Sequence, residues 1–209
     1  MSINFEDFTR AWNDDKTLVY PANPKADGER WFLRTRPSSV GRSAAIIGIN
    51  PSTAVKLGLR REGYDGDQTT DKLLKRFHKA DLERSTLQQN EPIFDDLVIV
   101  NLIPHVASNS NLFSGWNPCN DNLQIMESIT TTKQLWNIVV DSVSDVILIW
   151  GNPNDKDYPW KPYVLKSLEP YLKSLTTNKK IWAVASTEDP HYPYHPRYPK
   201  WTNLPLTQV

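Results

Sequence analysis

The sequence predicts an α/β protein in which a central four-stranded parallel sheet is covered by helices on both faces, as a three-layer α/β/α sandwich. Four short apolar runs, three of them rich in Ile and Val, alternate with stretches of helical periodicity. Continuous apolar runs are typical of strands that are buried on both faces. Strand and helix alternation favours parallel strands joined by right-handed crossovers. The runs are Ala44–Ile49, Leu97–Leu102, Val146–Trp150 and Ile181–Ala185.

The stretches between these runs repeat apolar residues at the period of a helix. They are Thr69–Leu82, Asp121–Val143 and Tyr163–Leu175. Upstream of the first run, Arg30–Arg36 indicates an additional N-terminal edge strand. No repeat or low-complexity tract divides the chain, so we expect residues 1–209 to form a single domain.

Composition restricts the class of protein. With 209 residues, 39% of them apolar and 23% charged, the chain suits a folded protein and not a disordered one. Neither a signal-peptide pattern nor an apolar stretch of the roughly 20 residues that cross a bilayer is present. Cys119 is the only cysteine, which favours a reducing compartment, and we expect a cytoplasmic monomer without membrane contact. Because the formal net charge is zero, any DNA-binding surface must be a local patch.

Polar residues follow the first two predicted strands, at the end where open parallel sheets bind ligands. After the first strand, Gly48 permits close approach of a ligand, and Pro51 stiffens the loop that presents Asn50. An ordinary Asn-Pro turn would use the same residues. Asn101 ends the second strand, and its amide can both donate to and accept from the edge of a base. The alternative role for Asn101 is that it caps a loop.

Prolines, aromatic residues and cations interleave in residues 189–201, after the fourth run. This composition suits an ordered loop that contacts nucleic acid by charge and stacking. His191 and His195 also lie there, but the sequence offers no clear third and fourth metal ligand, so we expect no metal and no cofactor. The predicted DNA-contacting residues are Arg197, Tyr198, Lys200 and Trp201.

Together these segments resemble the uracil-DNA glycosylase superfamily. The Gly-Ile-Asn-Pro-Ser of residues 48–52 is similar to the Gly-Ile-Asn-Pro-Gly of the mismatch-specific branch, and less similar to the Gly-Gln-Asp-Pro-Tyr of the uracil-removing branch. Val98–Asn101 resembles the apolar strand that ends in a base-reading asparagine, and Val146–Gly151 resembles a Leu-Trp-Gly strand. His195-Pro196 resembles the start of the His-Pro-Ser motif, with Arg197 in place of the serine. The chain also resembles a bacterial and phage family of unknown function that has an Asn-Pro-Ser-Thr-Ala motif.

The resemblance implies a monofunctional DNA glycosylase that flips a pyrimidine out of the stack and hydrolyses its N-glycosidic bond. By resemblance, Asn50 orients the attacking water, His195 donates a hydrogen bond to the departing base, and Asn101 reads the base edge. Gly48 and the backbone N–H of Ile49 would complete the base site. Such an activity would serve repair, defence or modification of phage DNA.

Ser52 leads to a hypothesis about the substrate. The uracil-removing enzymes have at this position a tyrosine that crowds the 5-position of the base and excludes thymine. A serine leaves more space, so a 5-substituted or otherwise modified pyrimidine would fit. The strand state of the DNA stays open.

Two other functions stay open as well, because a fold does not fix an activity. One is a non-catalytic nucleotide- or nucleic-acid-binding module with the glycosylase fold. The other is an α/β enzyme that acts on free nucleosides. Formation of abasic sites in an oligonucleotide would distinguish the DNA glycosylase from the non-catalytic module. Activity on free nucleosides, but not on DNA, would indicate the nucleoside enzyme.

Overall fold

A computed structural model describes most of the chain, and it confirms the α/β class. A seven-stranded sheet is interleaved with helices along the sequence. For residues 25–26 and 122–131 it describes the backbone only. The described residues are 3–38, 40–49, 68–83, 91–105, 122–152, 159–175, 178–184, 193–196, 198 and 201–209.

The secondary structure elements follow one another in the order that the sequence predicts for its central part. The strands are β1 (Val19–Tyr20), β2 (Phe32–Arg34), β3 (Ser43–Gly48), β4 (Asp96–Asn101), β5 (Asp145–Leu148), β6 (Lys180–Val184) and β7 (Leu206–Gln208). The helices are α1 (Phe5–Asn13), α2 (Pro24–Asp27), α3 (Gln68–Phe77), α4 (Asn122–Asp141) and α5 (Lys161–Leu175), with a 3₁₀ turn at Trp201–Asn203. Among the described residues, no helix is both long enough and apolar enough to span a bilayer.

The sheet is mixed and wider than predicted. Its strand order is β1-β2-β4-β3-β5-β6-β7. The neighbours among β4, β3, β5 and β6 pair in parallel, whereas β1, β2 and β7 join the sheet antiparallel. The Arg30–Arg36 segment contains β2, but β2 is not an edge strand, because β1 pairs with its outer side through Val19 and Leu33.

Both faces of the sheet are buried, and alternate residues of each strand belong to different cores. On one face, Ala45, Ile47, Val98 and Val100 share a cluster with side chains of α1, α4 and α5, namely Phe8, Trp136, Val139, Val164 and Leu168. On the other face, Ala44, Ile46, Leu97 and Ile99 pack with α3 and the C-terminal segment through Leu73, Leu74, Phe77 and Trp201. Burial on both faces explains why these strands read as continuous apolar runs instead of alternating ones.

The strand order creates a topological switch point between β3 and β5. The chain leaves β3 for α3 on one face of the sheet and leaves β5 for α5 on the other face. In doubly wound sheets, ligands bind in the crevice outside the carboxyl ends of two such strands. The topology therefore directs attention to the residues that follow Gly48 and Leu148.

Candidate functional site

Gly48 and Asn101 lie side by side at the carboxyl ends of β3 and β4, where they are register partners. By the alternation along each strand, both lie on the face of the sheet that packs against α3, two residues after Ile46 and Ile99. A Cβ placed on Gly48 would lie 2.8 Å from Oδ1 of Asn101 and 3.9 Å from Cδ1 of Ile149. The absence of a side chain at Gly48 therefore provides the space that the Asn101 amide occupies.

The Asn101 side chain is buried without being fully satisfied. The residue is only 7% exposed. Its Nδ2 has no hydrogen-bond partner within the described part of the chain. A buried donor without an acceptor costs about 1–3 kcal/mol, and nearly all such groups in folded proteins are paired. An acceptor atom on a bound ligand would remove this cost.

His195 lies at the same edge of the sheet, against the glycine that follows β5. Gly151 has a φ of +74°, a conformation that side chains disfavour. A Cβ placed on Gly151 would lie 3.3 Å from Cβ of His195 and 3.8 Å from its backbone nitrogen. Asn101 thus lies beside Gly48 at the end of β3, and His195 lies against Gly151 just after the neighbouring strand β5, so both are at the carboxyl edge of the sheet.

The backbone around His195 is fixed on both sides. The N–H of Tyr194 donates to the carbonyl of Val184 at the end of β6, at 2.7 Å. The three consecutive carbonyls of Tyr194–Pro196 each accept a hydrogen bond. Their donors, in chain order, are the indole Nε1 of Trp201 at 3.1 Å, the backbone N–H of Tyr198 at 2.9 Å and Nζ of Lys72 at 2.7 Å.

The structure divides the predicted DNA-contacting residues. Tyr198 is 37% exposed, and its ring stacks on Tyr194 with centroids 4.4 Å apart. Trp201 corrects the prediction, because it is 0% exposed and its ring packs edge-on against Phe77, so that it cannot stack on a base. Arg197 and Lys200 lie outside the described residues.

The loop that carries the first motif is described only at its start. Asn50 and Ser52 lie outside the described residues. Ile49 is 7% exposed and belongs to the core cluster on the face away from α3, so its side chain fills the core. Ile49 can therefore contribute to a site at this edge only through its backbone.

Lys161 is a residue of this edge that the sequence analysis missed. It is 0% exposed, and its Nζ donates to the carbonyls of Trp150 at 3.2 Å and Asn152 at 2.7 Å. These two carbonyls flank Gly151, so Lys161 fixes the wall against which His195 lies. The sequence does contain a signal for Lys161. Pro162 marks the start of a helix, where a lysine is unfavourable because its charge opposes the helix dipole, so a lysine at this place indicates a specific role.

His105 and Glu29 lie farther along the same edge, where β4 exits. Burial lowers the pKa of His105, and the carboxylate of Glu29, 3.9 Å away, works in the opposite direction. The net shift is downward, which keeps His105 neutral at pH 7. No group of three His, Cys, Asp or Glu residues within the described ranges could hold a metal ion. Asn101, His195 and His105 thus bring an amide and two imidazoles to this edge, and such groups recognise ligands by hydrogen bonds.

A cavity of about 430 Å³ opens at the opposite, amino edge of the sheet, lined by residues that include Trp12, Arg34 and Asp96. Two of its charged groups, Arg34 and Asp96, have partners within the protein. Arg34 donates to the carbonyls of Thr17 and Asp14 at 2.9 and 2.8 Å and lies over the ring of Trp12. Asp96 accepts from the backbone N–H of Ser38 at 2.8 Å. The carboxyl edge, with the unsatisfied Asn101, is therefore the stronger candidate site.

Comparison with known proteins gives a family without a known activity. No curated protein and no solved structure matches the chain. A family model described as a protein of unknown function, DUF1643, matches residues 30–197. This span includes the carboxyl ends of all four parallel strands, together with Asn101 and His195. The chain belongs to the DUF1643 family.

Proposed function

We propose that the chain is a DNA glycosylase of the uracil-DNA glycosylase type, which hydrolyses the N-glycosidic bond of a flipped-out pyrimidine. The observation that carries the proposal is the buried Asn101 amide at the switch-point edge, whose Nδ2 lacks an acceptor among the described residues. A pyrimidine with a ring carbonyl beside a ring N–H supplies the acceptor for Nδ2 and a donor for Oδ1. The sheet with two buried faces would be the three-layer sandwich of that superfamily.

In the proposed reaction a water oxygen bonds to C1′ of the sugar while the C1′–N bond breaks. The electron pair of that bond leaves with the base, which becomes an anion. The proton that the attacking water gives up passes to solvent, and the released base takes up a proton from solvent. His195 would donate a hydrogen bond to the base oxygen as negative charge develops, and one such donor is worth about 10²–10³ in rate. Asn50, directly after Ile49 and outside the described residues, would orient the water by hydrogen bonding.

The substrate class follows the same proposal. Ser52, also outside the described residues, would leave space at the 5-position, so that the pocket accepts 5-substituted or otherwise modified pyrimidines. Arg197 and Lys200 would contact phosphates, and the exposed face of Tyr198 would stack on a nucleotide. The stacked pair of Tyr198 and Tyr194 supports this role, since the second ring holds the first in place.

The experiment is incubation of the chain with single- and double-stranded oligonucleotides that carry a panel of modified pyrimidines, followed by alkali cleavage at abasic sites. We expect cleavage with at least one base. Asn101→Ala should slow it for every base, and His195→Ala should lower the single-turnover rate by about 10²–10³ with DNA affinity nearly unchanged. Asn178→Ala is the matched control, because Asn178 precedes β6 at the amino edge of the sheet.

Other results of this experiment would favour the two alternative functions, the binding module and the nucleoside enzyme. Oligonucleotide binding by the wild type without abasic sites would reject the glycosylase and favour a non-catalytic binding module. Release of bases from free nucleosides, but not from DNA, would favour a nucleoside-processing enzyme. Wild-type cleavage rates in both Asn101→Ala and His195→Ala would show that the site lies elsewhere.

A further inference from the structure

We propose that Lys72 of α3 is a positioning residue that fixes His195 through the carbonyl of Pro196. The inference rests on the proposed function, because that function gives His195 its role as a hydrogen-bond donor to the departing base. Lys72 would not touch the base. It would act on the backbone next to His195, and thereby on the direction in which the imidazole points.

The contact joins two distant parts of the chain. Nζ of Lys72 lies 2.7 Å from the carbonyl oxygen of Pro196, across 124 positions of sequence. A charged donor makes this bond roughly twice as strong as a neutral one. Its anchor is rigid, because the neighbouring Leu73 and Leu74 are 0% exposed in the core between α3 and the sheet.

Arg76 lies one helical turn after Lys72, and it too donates hydrogen bonds from α3 to backbone carbonyls near the C-terminal end of the sequence. Arg76 is 0% exposed and donates to the carbonyls of Trp201, at 2.7 Å, and Leu204 while it pairs with Glu91. Its loss would leave several buried groups unpaired and destabilise the whole segment. Lys72 makes the contact that is local to His195.

Lys72 is also the one donor to the Tyr194–Pro196 carbonyls that can be changed without removing core structure. Trp201 is fully buried, and the donor of Tyr198 is its backbone N–H. Without Lys72, the other two hydrogen bonds would still hold the carbonyls of Tyr194 and His195, but the carbonyl of Pro196, the residue that follows His195, would lose its donor.

On the side of β5, His195 lies against Gly151. Its Cβ stands 3.3 Å from the position that a Cβ on Gly151 would take, so the glycine allows the two backbones to lie close together. Lys161 binds the carbonyls on either side of Gly151 and so fixes that backbone. Lys72 adds a hydrogen bond from α3 to the carbonyl of Pro196. A displacement of about 1 Å in a reacting group can cost about 10²-fold in rate.

The test compares Lys72→Met, which keeps the aliphatic stem, with Lys75→Met as the matched control. Lys75 lies on the same helix and loses the same charge, but its Nζ pairs with Asp71 at 3.2 Å and Glu83 at 3.6 Å. The first readout is the ¹⁵N and ¹³C NMR signals of the histidine rings, with His195 assigned by His195→Gln. We expect Lys72→Met to shift and broaden the His195 signals and Lys75→Met to leave them unchanged. Signals of His195 that stay unchanged in Lys72→Met would overturn the proposal.

The second readout is single-turnover base excision together with oligonucleotide affinity. We expect Lys72→Met to lower the rate about 10–100-fold with Kd within about twofold, and Lys72→Arg, which keeps a charged donor, to restore most of the rate. Equal rates in Lys72→Met and Lys75→Met would overturn the proposal. Thermal unfolding verifies that each variant is folded, and Lys72→Gln replaces Lys72→Met if that variant is not. Absence of excision in the wild type would reject the proposed glycosylase function, while the NMR readout still decides whether Lys72 positions His195.

Discussion

Asn101 combines burial with an unused donor, which a purely structural asparagine would avoid. Amides in protein interiors are normally paired because an unpaired one costs about 1–3 kcal/mol. Its partner in this arrangement is Gly48, which supplies space and no hydrogen bond. The two residues therefore act as one unit, in which the glycine determines where the amide can lie.

Gly48→Ala tests this unit. The added Cβ would lie 2.8 Å from Oδ1 of Asn101, so the amide must move. Because the obstructing atom is the end of a side chain, we expect the free energy of unfolding to change by less than about 1 kcal/mol. We expect excision, or base affinity, to fall about tenfold or more. Urea unfolding and single-turnover assays measure the two effects, and an unchanged rate would mean that the Asn101 position is unimportant for the site.

Asn101→Asp tests the reading of the base. The variant carboxylate has no N–H to donate to a ring carbonyl of the base. It can only accept hydrogen bonds, so it favours an exocyclic amine such as that of cytosine. We expect the preference among bases to shift toward amino-substituted pyrimidines, whereas Asn101→Ala should slow excision of all bases. Relative rates on the oligonucleotide panel measure the shift. Equal loss for every base in both variants would contradict a reading role.

At the scale of elements, the central strands and the helices between them were predictable from sequence, as was the segment that contains β2, whereas α1, α2, β1 and β7 were not predicted. β3 to β6 lie within the predicted apolar runs or one or two residues from them, since burial on both faces leaves a strong signal. β1 and β7 have two and three residues, too few for any periodicity. They exist because β2 and β6 offer free edges for pairing, which is a tertiary property.

The same limit applied to the side chains of the site. Asn101 could be named because it ends an apolar strand, and His195 because His195-Pro196 resembles the start of a His-Pro-Ser motif. Lys72 could not, since its partner is a carbonyl 124 positions away that only the fold brings near, and the helix start at Pro162 does not show which carbonyls Lys161 binds. Trp201 was assigned wrongly because composition does not distinguish an exposed ring from one that packs on Phe77 and Arg76.

The amino edge of the sheet contains a polar network whose role is stability. Asp145 is 1% exposed and accepts hydrogen bonds from Arg42 at 2.8 Å and from the indole N–H of Trp182 at 2.6 Å. Burial acts to raise the pKa of Asp145, but hydrogen bonds from Arg42, Trp182 and Ser144 outweigh it, and the pKa is lowered. The folded state therefore favours the ionised carboxylate.

We expect Asp145→Asn to lower the free energy of unfolding by about 2 kcal/mol at pH 7, because it removes hydrogen bonds to a charged group. A carboxylate with a depressed pKa contributes stability above its unfolded pKa, near 3.8, and loses it as the pH falls through the lower folded value. The difference between wild type and variant should thus shrink below about pH 4. Urea unfolding at pH 7 and pH 3 measures it, and a difference independent of pH would contradict the assignment.

At the scale of the whole molecule, the two edges of the sheet have different tasks. At the amino edge, buried polar groups such as Arg34 and Asp145 have partners within the protein. At the carboxyl edge, Asn101 has an unused donor, and the backbone of His195 is fixed by three hydrogen bonds. A hydrogen-bonding ligand at the carboxyl edge would therefore find a backbone that is already held in place and an amide donor that is still unused.

Because the net charge is zero, the proposed DNA binding would depend on a few locally placed cations. We propose Arg197 and Lys200, which lie outside the described residues, for this role. Each lost phosphate contact reduces the slope of log K against log salt by about one. We expect Arg197→Ala with Lys200→Ala to reduce the slope by about two and to weaken binding about equally for all base sequences.

The matched control is Lys79→Ala with Lys180→Ala, which removes the same charge from two exposed residues near the starts of β4 and β6. We expect this control to leave the slope nearly unchanged, because exposed charges farther away than a Debye length, about 8–10 Å, are screened. Fluorescence anisotropy from about 50 to 200 mM salt measures both slopes. Equal slopes in the two double variants would show that binding depends on total charge, and would place the DNA away from the carboxyl edge.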